Sequence, residues 1–150
     1  MAEKSKSSRV FHRRHVARKL AMQAIYQWQL TGQSASGIVK QFHDDIDYPK
    51  SDPEYFAKLT IQTIQSSHLL DELLKLHLDR DVERVDPVER AILRLAVNEL
   101  KEHQEVPYRV VLNEAISLTK KFGAQDAYKY VNAVLDKVLP QLRKQELSAR

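Results

Sequence analysis

The stretch DPVERAILRLAVNELKEH, Asp86–His103, decides the fold. Asp86 offers a side-chain oxygen to the unpaired N–H groups of a helix start, Pro87 presets the first helical φ, and Glu89 is an acid in the first turn. Behind this start Ile92, Leu93, Ala96, Val97 and Leu100 return at helical spacing and form a broad apolar face. A face that wide predicts a central, well-buried helix rather than one lying on a surface.

Working outward, the same punctuation recurs. Pro107 opens a second helix, in which Val111, Ala115, Leu118 and Phe122 keep the rhythm until Gly123 ends it. Asp126 is placed to cap a last helix carrying Val131, Val134, Leu135 and Val138, with Pro140 as its stop. Upstream, Asp52-Pro53 repeats the Asp-Pro start, and the apolar positions run to about Leu78 with a break expected near Ser66-Ser67. A short helix is predicted at about Gly37–Asp44, and a first one from about Arg14 to Leu30, with Gly32 as its C-terminal glycine. Strand signals are nearly absent. The expectation is an all-α, single-domain bundle of about six or seven helices.

The chain has 150 residues, of which 43% are apolar and 29% charged, the composition of a soluble globular protein. A domain of this size buries roughly 68–70% of the surface its unfolded chain exposes, so one ordinary core suffices. No apolar run approaches the ~20 residues that span a bilayer, so no membrane role is expected. There is no secretory signal pattern and there are no cysteines, which excludes disulfides and thiolate chemistry and makes the cytoplasm the default location. Gly-rich phosphate loops, nucleophile elbows and zinc-binding His-Glu-x-x-His are missing, so no catalytic residue and no cofactor are expected. His12 and His15 sit among arginines that would repel a metal ion. Glu99 and Glu102, three apart on one helix, read as a solvated face rather than an acid/base pair.

Charge is unevenly spread. Residues 1–19 carry seven Lys/Arg against one acid, residues 44–105 eight against fifteen, and residues 106–150 eight against four. The pattern suggests a basic surface for phosphates and an acidic one for a basic protein. In FHRRHVARKLAMQAIYQWQLTG, Phe11–Gly32, the cations pass without a spacer into an apolar helix, so the charge is anchored to the core. The expected organisation is a flexible basic leader over 1–12, a helical domain over 13–140 and a polar tail over 141–150.

Two longer phrases carry a resemblance. DPVERAILRLAVNEL, followed by VPYRVVLNEAISLTKKFGAQDAYKYVNAVLDKV, resembles the NusB family, in which a Phe-Gly-Ala-x-Asp turn precedes Val-Asn-x-Val-Leu-Asp; ARKLAMQAIYQWQL resembles that family's first helix. The likeness runs from about Arg13 to Val138, with a divergent middle. It implies an all-α adaptor without enzymatic activity, which holds the single-stranded boxA element of nascent RNA together with NusE, a small-subunit ribosomal protein. The pair acts with other Nus factors and RNA polymerase, met indirectly, to promote read-through in ribosomal RNA operons.

The resemblance also implies site residues. The arginine-rich RNA segment falls on Arg13, Arg14 and Arg18, with Arg9 and Lys19 as neighbouring cations; Asp126, Lys129 and Tyr130 match the RNA face of the last helix, where Tyr130 stands for a phenylalanine. Tyr26, Glu83 and Glu89 match the NusE contact. Each has a plainer reading: Tyr26 as core, Asp126 as a cap, Tyr130 as a packed ring, Glu89 as a dipole-favoured acid. A related helical domain also precedes the catalytic domain of some ribosomal RNA cytosine methyltransferases, which leaves a non-catalytic RNA- or protein-binding module as the alternative.

Overall fold

The structure, a computed structural model, describes residues 5–149. Among them eight α-helices and three short 3-10 turns follow one another, and no strand occurs. Helix α1 (Lys6–Thr31) starts well before the expected Arg14 because the Ser5 hydroxyl accepts from the Ser8 N–H at 3.0 Å and no breaker follows. The leader expected over 1–12 is therefore helical from Lys6; residues 1–4 lie outside the described ones. Gly32 ends α1 at φ 70°, the left-handed conformation that favours glycine.

Ser34 caps α2 (Ala35–Gln41), and Asp52 caps α3 (Pro53–Gln65) by accepting from the Tyr55 N–H at 3.0 Å. The expected break falls at Ser66, after which α4 (Ser67–Lys75) continues. Asp86 caps α5 (Pro87–Glu102) through the Val88 N–H at 2.9 Å. Helix α6 (Tyr108–Phe122) ends at Gly123, where a Cβ would sit 2.8 Å from the Thr119 carbonyl oxygen.

Helices α7 (Ala127–Leu142) and α8 (Lys144–Ser148) depart from expectation. Asp126 does not cap α7: it stands at φ 67° and its side chain makes no capping bond, because the left-handed turn points it away from the helix start. Pro140 does not stop α7 either. Its missing N–H falls in the last turn, so only one helical bond is lost, and the Arg143 N–H closes the end on the Leu139 carbonyl at 2.9 Å. Nor is 141–150 merely a polar tail. Arg143 is 1% exposed and its guanidinium donates to the carbonyls of Leu100, His103 and Val106 at 2.7, 3.1 and 2.8 Å. It shares the Leu100 carbonyl with the Gln104 side-chain amide and the His103 carbonyl with the Val106 N–H, and so ties the end of α5 to the chain that follows.

Helix α5 is the centre of the bundle, with every residue from Ala91 to Leu100 buried, as its wide apolar face predicts. Helix α1 packs against α3 and α5, and α6 pairs with α7 on the other side. Two landmarks fix the direction of α6 beside α1. Val110, in its first turn, faces Val10 and Phe11, while Phe122, at its end, faces Met22 and Tyr26. The two helices thus run the same way, and α1 offers one end to each of two surface regions.

Candidate nucleic-acid interface

The cations of α1 do not share one fate. Arg9 and Arg13 are exposed on the first turns, with Arg13 Nη1 3.5 Å from the Pro49 carbonyl. Arg14 is half-buried, its guanidinium carbon 4.1 Å from the Tyr55 ring centroid and its Nε 3.9 Å from Asp52. Lys19 is paired with Asp47, whose carboxyl is held below its usual range first by that hydrogen bond and then by the lysine's charge.

Arg18, expected to meet phosphate, is instead part of the interior. It is 3% exposed and grips Glu99 bidentately at 2.7–3.0 Å, while its Nη1 donates to Glu114 at 2.9 Å. Burial works against its charge, but Glu99 and Glu114 outweigh it and push its pKa up. The Tyr55 hydroxyl donates to Glu99 at 2.6 Å, and His15 meets Glu114 at 2.8 Å. The Tyr55 phenol is pushed up by burial and then by the charge of Glu99. The reading of Glu99 as a solvated acid is thus corrected as well, since it is 1% exposed. Both acids lie on apolar stripes, Glu99 below Ile92 and Ala96, Glu114 between Val111 and Leu118; a charge there needs a buried partner, and that signal was present in the sequence.

Asp126, Lys129 and Tyr130 gather where α7 begins. Asp126 and Lys129 are exposed, 3.7 Å apart. Tyr130 is half-buried; its hydroxyl donates to Asp79 at 3.2 Å and Arg80 lies 5.0 Å from its ring centroid. Arg80 escaped the sequence reading because it sits in the loop after α4, with no periodicity to mark it. Lys120 lies 4.6 Å from the centroid of the Tyr128 ring, adding a second cation and aromatic pair nearby.

An apolar depression of about 180 Å³ is formed by Met22, Gln23, Tyr26, Val88 and Phe122. Glu89, next in the chain to Val88, is 9% exposed, its carboxyl pushed up by burial and then by Asp86, against the pull of Arg80. Glu83 is exposed on the 3-10 turn Val82–Arg84. The structure thus sets Tyr26 beside Val88 in the depression and Glu89 within electrostatic reach of Tyr130. Arg9 and Arg13 are set apart from the depression by most of α1: Arg13 and Tyr26 are separated by about 20 Å at 1.5 Å per residue. Among the described residues no cluster of His, Asp and Glu could hold a metal ion.

Comparison with known proteins matches this arrangement to one family. The NusB family pattern matches residues 15–140. A transcription antitermination protein NusB of Alcanivorax borkumensis is 53% identical over 137 residues, 91% of either chain, and that of Hahella chejuensis 45% identical over 142 residues, 95% of either chain. Among solved structures, NusB in a crystal structure of the antitermination factors NusB and NusE in complex with dsRNA is 28% identical, with a TM-score of 0.78 over 85% of this chain and 96% of that one. A Thermotoga maritima NusB, 22% identical over 89% of this chain and 96% of its own, shares the fold at a TM-score of 0.78. With the motifs, the helix order and matches of this length in agreement, the chain belongs to the NusB family.

Proposed function

We propose that this protein is a transcription antitermination factor that holds boxA-type single-stranded RNA jointly with a NusE-like ribosomal protein, and so promotes read-through and ribosomal RNA transcription. The observation that carries the reading is the layout of α1. Exposed arginines lie at its start, and a half-buried tyrosine and an apolar depression lie near its end. Arg9 and Arg13 take phosphates, joined by Lys129, while Arg14 is held over the Tyr55 ring; Tyr130 stacks a base and Asp126 accepts from one. Arg18 and Lys19, each committed to internal carboxylates, hold α1 in place instead.

Tyr26, Glu89 and Glu83 face the ribosomal protein. The acidic excess of the middle of the chain suits the basic surface of such a protein. Relatives support this reading, since their names state antitermination, and one relative is held with NusE and RNA. That RNA is double-stranded. Single-stranded RNA is favoured here because aromatic rings beside cations recognise splayed bases, which a duplex does not offer. Other Nus factors and RNA polymerase are reached through the complex, which acts in the cytoplasm where transcription takes place. Among the described residues no helix is long and apolar enough to cross a membrane.

Filter binding of a boxA-like RNA, single- and double-stranded, with and without the ribosomal protein, tests the reading. The expected result is tightest binding of the single strand with the partner present. Equal affinity for an unrelated RNA of the same length would overturn it.

A further inference from the structure

The first turns of α1 carry a feature that the proposed RNA track leaves unused. Val10 and Phe11 are 46% and 49% exposed, unusual for large apolar side chains on a helix that packs into the core. They face the start of α6. Together with Arg14, Glu105, Pro107 and Val110 they line a groove of about 190 Å³. That is below the roughly 300–1,000 Å³ of small-molecule sites, so the groove suits a single planar ring better than a whole ligand.

Helical geometry sets the charges beside it. Ser7, Val10, Phe11 and Arg14 follow the i, i+3, i+4, i+7 rule and share the groove face, while Lys6, Arg9 and Arg13 share the adjacent, exposed face. A strand whose phosphates lie along Lys6, Arg9 and Arg13 reaches the groove past Val10, about 70° around the helix from them, with Phe11 on the far wall. The Glu105 carboxylate on the rim repels phosphate, so the backbone stays on the cationic face and only an uncharged part can turn in.

We infer that this groove takes one unstacked nucleobase of the RNA, lying on the Phe11 ring, and so extends the RNA site by a nucleotide beyond the cations of α1. The inference rests on the RNA-binding reading above. Phe11 supplies an exposed π-face, and Val10, Pro107 and Val110 supply apolar walls. Backbone contacts along the arginines position the strand, and the base in the groove adds affinity without adding charge.

The test uses the full chain with the ribosomal protein present and three RNAs: a boxA-like core, the core extended by two nucleotides at each end, and the same extension with abasic sugars. The extended RNA should bind about tenfold more tightly than the core, the worth of one stacked base. Abasic extension or Phe11→Ala should each remove that gain at an unchanged salt slope, and Phe11→Trp should keep it. Equal binding of the extended and abasic RNAs, with the core still bound, overturns the groove and leaves the RNA reading standing. No binding of the core overturns both.

Discussion

Arg13 and Arg18 lie five residues apart on one helix and have opposite surroundings. Arg13 stands in solvent with a single long contact, whereas Arg18 is enclosed by Glu99 and Glu114 and linked through Glu99 to Tyr55. Five residues turn a helix by about 140° beyond one full revolution, enough to carry a side chain from the outer face to the inner one. An arginine run on an amphipathic helix is thus two structures, an exposed cationic stripe and an internal tie between helices α1, α5 and α6. The comparison explains how a basic segment can be held rigidly: the inner arginine fixes the helix that presents the outer ones.

The largest expected effect breaks the inner tie. Glu99→Ala leaves the Arg18 charge buried with only Glu114 for a partner, and should destabilise the fold by about 3–5 kcal/mol in urea unfolding. Arg18→Ala, which strands two acids instead, should lose a similar amount. Provided the variant stays folded, its RNA binding should keep the parent's salt slope. A stable Arg18→Ala protein with a flatter slope would return Arg18 to the phosphates and end the distinction.

The next effect concerns the start of α7. Tyr130→Ala should lose about 1–3 kcal/mol of RNA affinity through stacking, without altering the salt dependence. Unchanged affinity would mean that the ring serves only to seat Arg80 and Asp79. Smaller still is the loss of one outer cation. Arg13→Ala should flatten the slope of log affinity against log salt by about 0.7, and should weaken all RNA sequences alike. A slope equal to the parent's would make Arg13 a solvated helix end.

Much of this was legible in the sequence, for identifiable reasons. The Asp-Pro starts at Asp52 and Asp86 and the glycine at Gly32 are local signals, and each helix they mark is present. The breadth of the apolar face from Ile92 to Leu100 correctly placed α5 at the centre. Three things were not legible. Ser5 as a cap is indistinguishable from any serine in a polar leader, so α1 reads as starting late. Asp126 looks like a cap until its left-handed φ is known. Arg18 looks like its neighbours because a cation's partner can lie far along the chain, here 81 and 96 residues away. The pairing of buried charges is a property of the packed helices, and only Glu99 and Glu114 on apolar stripes hinted at it.

The smallest effect compares two glutamates of α5. Glu99 is buried with a guanidinium, while Glu89 is nearly as buried without one in contact, so burial and the neighbouring Asp86 push its carboxyl above the ordinary range. In the folded state Glu89 therefore keeps its proton to higher pH than in the unfolded chain. Across the window from the ordinary carboxylate pKa up to that raised value the native state binds more protons, so stability falls as pH rises and the loss is complete above the raised value. Glu89→Gln removes the titration while keeping the shape, and should be slightly more stable than the parent at pH 7 and equal to it below the window. The positive end of the α5 dipole opposes this, since it favours an acid in the first turn. Urea unfolding of both proteins at pH 7 and at a pH below the carboxylate range separates the two influences: a glutamine variant less stable at pH 7 would mean that the dipole outweighs burial, and that Glu89 is as well placed electrostatically as Glu99.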